Sequence, residues 1–446
     1  MTSFHPGALS SFSTVANELL KEIQIYPTST SAPDFVKRFD IQPAHVIRPE
    51  DIIGPVEFTP KEIDSNGNET GRFWDSDGQL AGWKGEAFLK MKRLAEKIAN
   101  SKELRGLVSD SFVLDQVFRW LRETLERKRG DSIGEFVAHC CDSEITDHEM
   151  WIPIFRTYSS MDLKIGDVEF KSITSELLDA WFGRPISDPL VRERVKQLEH
   201  ATRSKHQGSL AACIKVRAEK GKAFEVAIGK ALSATALLRF LSTANWSCGI
   251  KSYALPFGMQ NAQSWSTFEM ADGRITSLGT KGVNEGPDAW VVDAMRERFP
   301  DLLGLLSDLA GPSKTEFHRT LFDAMLIYSR NSTTSDPANK LVFILVALES
   351  VLLKDASEPI QGNLGERMAF IIGNTLDERR DIVTTVKKTY GMRSGFIHHG
   401  QSLDDIEVFE RFLGYAWACL LQLLRLRDRI TTRIELLAEL DDMKLS

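Results

Sequence analysis

No apolar run in this chain reaches the ~20 residues that a membrane-spanning helix needs, and the longest candidate ends at Glu349. The opening residues Met1 to Pro6 lack the basic start and apolar core of a signal peptide. Both absences point away from a membrane and toward the cytoplasm. Cysteine is sparse: Cys140, Cys141, Cys213, Cys248 and Cys419 are an odd, scattered set. They offer no disulfide framework and suit a reducing compartment. Basic charge is not in excess. The net charge is −7, which excludes a sequence-blind nucleic-acid coat and confines any RNA contact to a local patch. There is no Gly-x4-Gly-Lys-Ser/Thr; Lys281 in Gly279 to Gly282 lacks the following hydroxyl. A P-loop nucleotide site is therefore not expected, and that loop reads as a connection. Internal repeats and low-complexity tails are also lacking.

What is present is enough chain for two or three domains: 446 residues exceed one compact core. Residues 1–130 read as a mostly helical region with a long loop. A helix is expected from Thr14 to Ile25, with Ser13 as cap and Pro27 as stop. Gly54 to Gly82 is rich in Gly, Asp, Asn and Ser and reads as a loop or linker, with Phe73, Trp74 and Trp83 anchoring it to the core. Helices are expected from Lys84 to Ala99 and from Ser111 to Lys128.

Residues 131–288 read as an α+β middle domain. His139, Cys140, Cys141, Asp147, His148 and Glu149 are potential metal ligands, but adjacent cysteines aim poorly at one ion, so the stretch reads as a surface turn between strands and no metal is assigned. Alternation predicts strands between Glu149 and Ser172, over Ser209 to Arg217, and over Trp246 to Leu255. A helix is expected from Lys222 to Leu241, and a hairpin with Asp272-Gly273 at its tip.

Residues 289–446 read as an all-α bundle. Ser313 and Glu316 have capping-box spacing, Asp336-Pro337 opens the apolar helix through Leu353, and Asn363 is the expected cap of a short helix carrying Arg367. A helix from Asp377 to Ile397, stopped by Gly400, and a last long helix capped near Asp405 complete it. On the last helix Phe409, Phe412, Leu413, Ala416, Trp417 and Leu420 recur at helical spacing, mainly for the bundle core and in part for a two-fold interface.

The chemistry concentrates in Tyr390-Gly391-Met392-Arg393-Ser394-Gly395-Phe396-Ile397-His398-His399-Gly400. Arginine is permanently cationic and its donor fork suits phosphate. Histidine exchanges a proton near neutrality. A phosphate holder beside a proton shuttle is a minimal toolkit for breaking a phosphodiester; the plainer meaning is a helix end whose cations offset its dipole. On an ideal helix the two side chains point about 140° apart, so either the helix ends or bends near Gly395 or the pair is assembled across a dimer. Arg379, Arg380, Lys387, Lys388 and Arg393 outnumber Asp377, Glu378 and Asp381, a modest RNA-binding patch that Arg425, Arg427, Arg429 and Arg433 could extend. Tyr390 shares a helix face with Arg393. Glu349, in an apolar helix, needs a partner, with Arg367 or Arg393 the candidates.

The order of Lys340 to Ser350, Leu364 to Phe370, Val386 to Tyr390 and Arg393 to Gly400 resembles the HEPN superfamily, and within it the ApeA-like HEPN domain, over the C-terminal third from about Ser313. The resemblance implies a dimerising helical bundle that in many members cleaves RNA without a metal or other cofactor. It implies Arg393 and His398 as the catalytic pair, with Ser394, Tyr390, Glu349, Arg367 and His399 in support. Ser394 stands where many members carry Asn or Asp. It further implies a restrained toxin in anti-phage defence by abortive infection, acting on structured or loop RNA as a homodimer, with a phage or host trigger sensed by the N-terminal region. The rival reading is a non-catalytic HEPN module that dimerises and binds RNA or a nucleotide.

Overall fold

The computed structural model describes residues 3–27, 60–76, 79–126, 129–183, 185, 187–257, 259, 264–271, 274–282, 290–355, 358–399 and 405–445, with backbone alone for 27, 264–271, 274–282, 397–399 and 445. These residues form two compact units. The first comprises Met1–His148 with Val216–Glu225, the second Glu149–Lys215 with Val226–Ser446.

In the first unit, α1 (Pro6–Lys21) precedes β1 (Gln24–Pro27), β2 (Lys61–Ile63), β3 (Glu69–Ser76) and β4 (Gln79–Lys84). The strands pair antiparallel in the order β1-β4-β3-β2. Helices α2 (Glu86–Ala99), α3 (Asp110–Leu125) and α4 (Ile133–Glu144) follow. The expected start of the first helix is corrected: α1 begins at Pro6, where a proline forfeits no hydrogen bond, and Ser13 lies inside it. The loop expected over Gly54 to Gly82 is, in its described part, three strands. Its turn-forming residues mark hairpins: Asp64 accepts from the Asn66 and Asn68 N–H groups, both at 2.8 Å, and Gly67 has φ +84°. Phe73, Trp74 and Trp83 are buried, as the anchoring role requires, and Trp83 Nε1 donates to the Leu19 carbonyl at 2.8 Å. His139, Cys140 and Cys141 lie on α4 and not in a turn between strands. That helix opens with a reciprocal Ser132–Glu135 capping box. Glu219, returning from later in the chain, accepts from Ser109 Oγ at 2.9 Å, and Ser109 in turn caps α3.

β5 (Thr146–Pro153), β9 (Leu210–Ala218), β8 (Val168–Ser172) and β7 (Leu163–Ile165) form a sheet in that order. β6 (Thr157–Tyr158) pairs parallel with β12 (Trp290–Val291). Between β8 and β9 run α5 (Ser175–Phe182) and α6 (Pro189–His206), for which alternation gave no signal; α7 (Lys220–Leu238) follows β9. β10 (Ser264–Ala271) and β11 (Arg274–Gly282) form the expected hairpin, its tip lying outside the described residues. Trp246 to Leu255 is not a strand. Its backbone is held instead by a buried arginine, Arg239, whose Nη1 donates to the Ala254 carbonyl at 2.8 Å, and by Ser252 N–H donating to Ser332 O at 2.6 Å.

The C-terminal stretch is helical: α8 (Asp293–Arg298), α9 (Leu302–Leu309), α10 (Glu316–Tyr328), α11 (Pro337–Leu352), α12 (Ile360–Ile372), α13 (Leu376–His399), α14 (Ile406–Leu426) and α15 (Arg433–Leu445). Asp336 and Asp405 cap α11 and α14 as expected. Thr315, not Ser313, caps α10, and Asn363 lies inside α12, which starts after Pro359. Phe409, Phe412, Leu413, Ala416, Trp417 and Leu420 are all buried within the chain. Among the described residues no helix is long and apolar enough to cross a membrane.

Lys340 is fully buried on α11 and donates to the Ala244 carbonyl at 2.8 Å. Burial pushes its ammonium down to about 8 from an ordinary 10.5. The unfolded chain binds this proton more tightly than the native state does, so the lysine lowers stability fully below about pH 8, and the penalty fades as pH rises toward 10.5. Lys340→Met removes this penalty but leaves the Ala244 carbonyl without its donor, so its relative advantage should be largest below pH 8. Denaturant titrations at stepped pH should show that advantage closing as pH climbs through 8 to 10.5.

Candidate active site on the last helices

Two bundle helices meet at one carboxylate. Glu349 sits near the end of α11, where Leu345, Leu348 and Leu352 are fully buried. Tyr390 on α13 donates its hydroxyl to Glu349 Oε1 at 2.6 Å. Arg393, one turn further along the same face, brings Nη1 to 3.7 Å of the same oxygen. Tyr390 is buried. Burial first, and then its hydrogen bond to Glu349, push its phenol far above the ordinary value, so it remains a neutral donor. Arg393 is partly covered: its side chain is 30% exposed, while its Nε is buried and has no hydrogen-bond partner among the described residues. The guanidinium is thus anchored on one side by a shared carboxylate and open on another. It can hold an anion that approaches from solvent.

Of the two partners considered for Glu349, the structure selects Arg393. Arg367 belongs elsewhere. It is buried on α12, donates from Nη1 to Leu352 O at 2.7 Å and forks onto Glu358 at 2.8 and 3.0 Å, with Asp441 of α15 at 3.3 Å. It ties the end of α11, the following turn, α12 and α15 together. Ser394 is exposed. The backbone of α13 continues past Gly395 to His399, so the helix does not end there. The side chains of His398 and His399 lie outside the described residues.

The proposed RNA-binding cations divide. Lys387 and Lys388 are exposed and make no ion pair among the described residues. Arg380 pairs at 3.5 Å with Asp377 at the exposed start of α13. Arg379 is committed to structure: it donates to Gly373 O at 3.1 Å and lies over the Phe370 ring. Arg425, Arg427, Arg429 and Arg433 do not extend a basic surface, because Asp301, Asp308, Glu439 and the Ser350 and Lys354 carbonyls engage them. Reading the sequence missed Asp381, which accepts from Arg411 and Tyr415 on α14. The aromatic and the arginine four residues apart on α14 carried that signal.

Comparison with family models, with curated proteins and with solved structures found no match.

Arg367 and Arg393 should separate in chemical denaturation. Arg367→Ala strands Glu358 and a buried carbonyl and should cost roughly 3 kcal/mol or more. Arg393→Ala leaves Glu349 its tyrosine hydrogen bond, and the loss should be about 1 kcal/mol.

Proposed function

We propose that this chain is a metal-independent endoribonuclease of the HEPN type, working through Arg393 and His398. The supporting observation is the partly exposed Arg393 side chain, paired with Glu349, which Tyr390 also holds, on the helix that carries His398. RNA brings its own nucleophile, the 2′-hydroxyl. His398 takes or gives the proton, its counterpart in a second copy does the complementary transfer, and Arg393 holds the scissile phosphate and offsets charge growing on its non-bridging oxygens. Lys387 and Lys388 are exposed on the same helix but stand about 120–140° around it from Arg393, so they serve RNA phosphates other than the scissile one. Ser394 is placed to orient phosphate or histidine. His399 is secondary.

Because α13 stays helical through His399, Arg393 and His398 diverge by about 140° on one chain. A shared cleft in a homodimer brings complementary groups together. The apolar face of α14 is already buried within its own chain, so the dimer we propose pairs through the outer surface of the motif helix. In a cell such an enzyme acts as a restrained toxin, and abortive infection against phage is the setting that the family resemblance implies.

Purified protein should cleave RNA in excess chelator and leave 2′,3′-cyclic phosphate and 5′-hydroxyl ends. Arg393→Ala and His398→Ala should each lower the rate by about 100-fold or more, with His399→Ala far milder. Scission at a nucleotide lacking its 2′-hydroxyl, or equal losses for His398→Ala and His399→Ala, would overturn the assignment. Light scattering should report a dimer, and mixing Arg393→Ala with His398→Ala chains should restore part of the activity.

A further inference from the structure

A cleft in the second unit is lined by no residue of the Arg393 site. It has a volume of about 900 Å³, within the range of small-molecule sites. Its walls are the β7–β8 hairpin, α7, the end of α9 with the loop that follows, and Phe322 of α10. Small residues make the space. Gly166 at the hairpin tip has φ +61° and lies so close to Ala310 that a Cβ there would fall 2.9 Å from the Ala310 Cβ. Across the cleft Gly229 sits mid-helix on α7, and a Cβ at that position would meet nothing within 4 Å. Glycine in a helix interior costs about 1 kcal/mol relative to alanine, and no close packing at Gly229 explains it.

The charged groups around this space are Lys164, Lys230 and Lys314 against Asp167 and Asp308, with the Ser307 and Ser233 hydroxyls beside them, and Asp308 is engaged by Arg427. Lys164, Lys230 and Lys314 stand on three different walls. Lys230 is paired with Asp167. Lys164 and Lys314 make no ion pair among the described residues, and Glu169, opposite Lys164 in the strand register, is engaged by Lys171 at 2.6 Å. Ser307 Oγ accepts from the Gly166 N–H at 3.0 Å, which leaves its own proton without an acceptor among the described residues. Ser233, on α7 one turn from Gly229, also lines the cleft.

We infer that this cleft binds a small organic anion: an apolar body against Phe322 and the glycine and alanine walls, with a carboxylate or phosphate head held by Lys164, Lys314 and the Ser307 hydroxyl. A bound anion supplies the counter-charge that Lys164 and Lys314 lack among the described residues. The inference is independent of the ribonuclease reading, because no cleft residue belongs to the Arg393 site.

The probe is 8-anilinonaphthalene-1-sulfonate, an aromatic body with one anionic head, titrated into the full-length folded protein. A single saturable site is expected. Gly229→Leu fills the cleft while improving helix propensity, so it should retain or raise Tm and weaken the probe at least about tenfold. Lys164→Glu with Lys314→Glu should weaken it by a similar factor at unchanged circular dichroism. Displacement by dodecanoate would identify a carboxylate ligand and displacement by adenosine monophosphate a phosphate. No saturable binding, binding indifferent to Gly229→Leu, or displacement by neither competitor would overturn the inference.

Discussion

A carboxylate in an apolar helix has to be answered, and the way Glu349 is answered organises the C-terminal helices. Burying an uncompensated carboxylate costs several kcal/mol. Both compensating groups, Tyr390 and Arg393, come from one face of one helix. Tyr390 and Arg393 continue the inward face of α13 on which Ile382 and Val386 are buried, while Lys387 and Lys388 face out.

Much of this arrangement was legible in the sequence. Helix α11 was marked at both ends by Asp336-Pro337 and by the apolar run into Glu349, and the one-turn spacing of Tyr390 and Arg393 placed them together. The limits have physical causes. Arg367 was a candidate partner for Glu349 because a buried arginine is expected to seek a carboxylate, yet two of its closest acceptors are a carbonyl and Glu358 in the turn after α11. The strands β2 to β4 were hidden because glycine, aspartate and asparagine dominate a stretch whose hairpin turns need those residues, and the short strands between carry little alternation. Helix α6 escaped because none of its residues is fully buried; without a buried stripe a helix leaves no periodic signal.

A second theme is the use of buried side-chain donors to satisfy backbone that has no ladder. Arg239 serves the Ala254 and Ser329 carbonyls, Lys340 that of Ala244, and Trp417 Nε1 that of Phe240 at 3.0 Å. Each would be costly to bury alone. Together they explain how irregular chain between Leu238 and Leu255 stays inside the unit without becoming a strand. Cation–carboxylate pairing rules do not foresee this, because the acceptors are peptide groups and leave no trace in side-chain identity.

The placement of Glu219 bears on how the protein is made. The first unit is not one continuous piece of chain: it takes Val216–Glu225 from beyond the second unit's first strands. Glu219 holds Ser109, the residue that starts α3. During synthesis, more than half of the eventual first unit emerges well before this last component. Domains tend to fold as units, N-terminal first, yet here the earlier unit must wait, incomplete, while α5, α6 and most of a sheet from the other unit leave the ribosome. Translation pausing within Glu149–Lys215 thus prolongs an open form of the N-terminal unit, and severing the chain at His148 removes a contact that no residue upstream can replace.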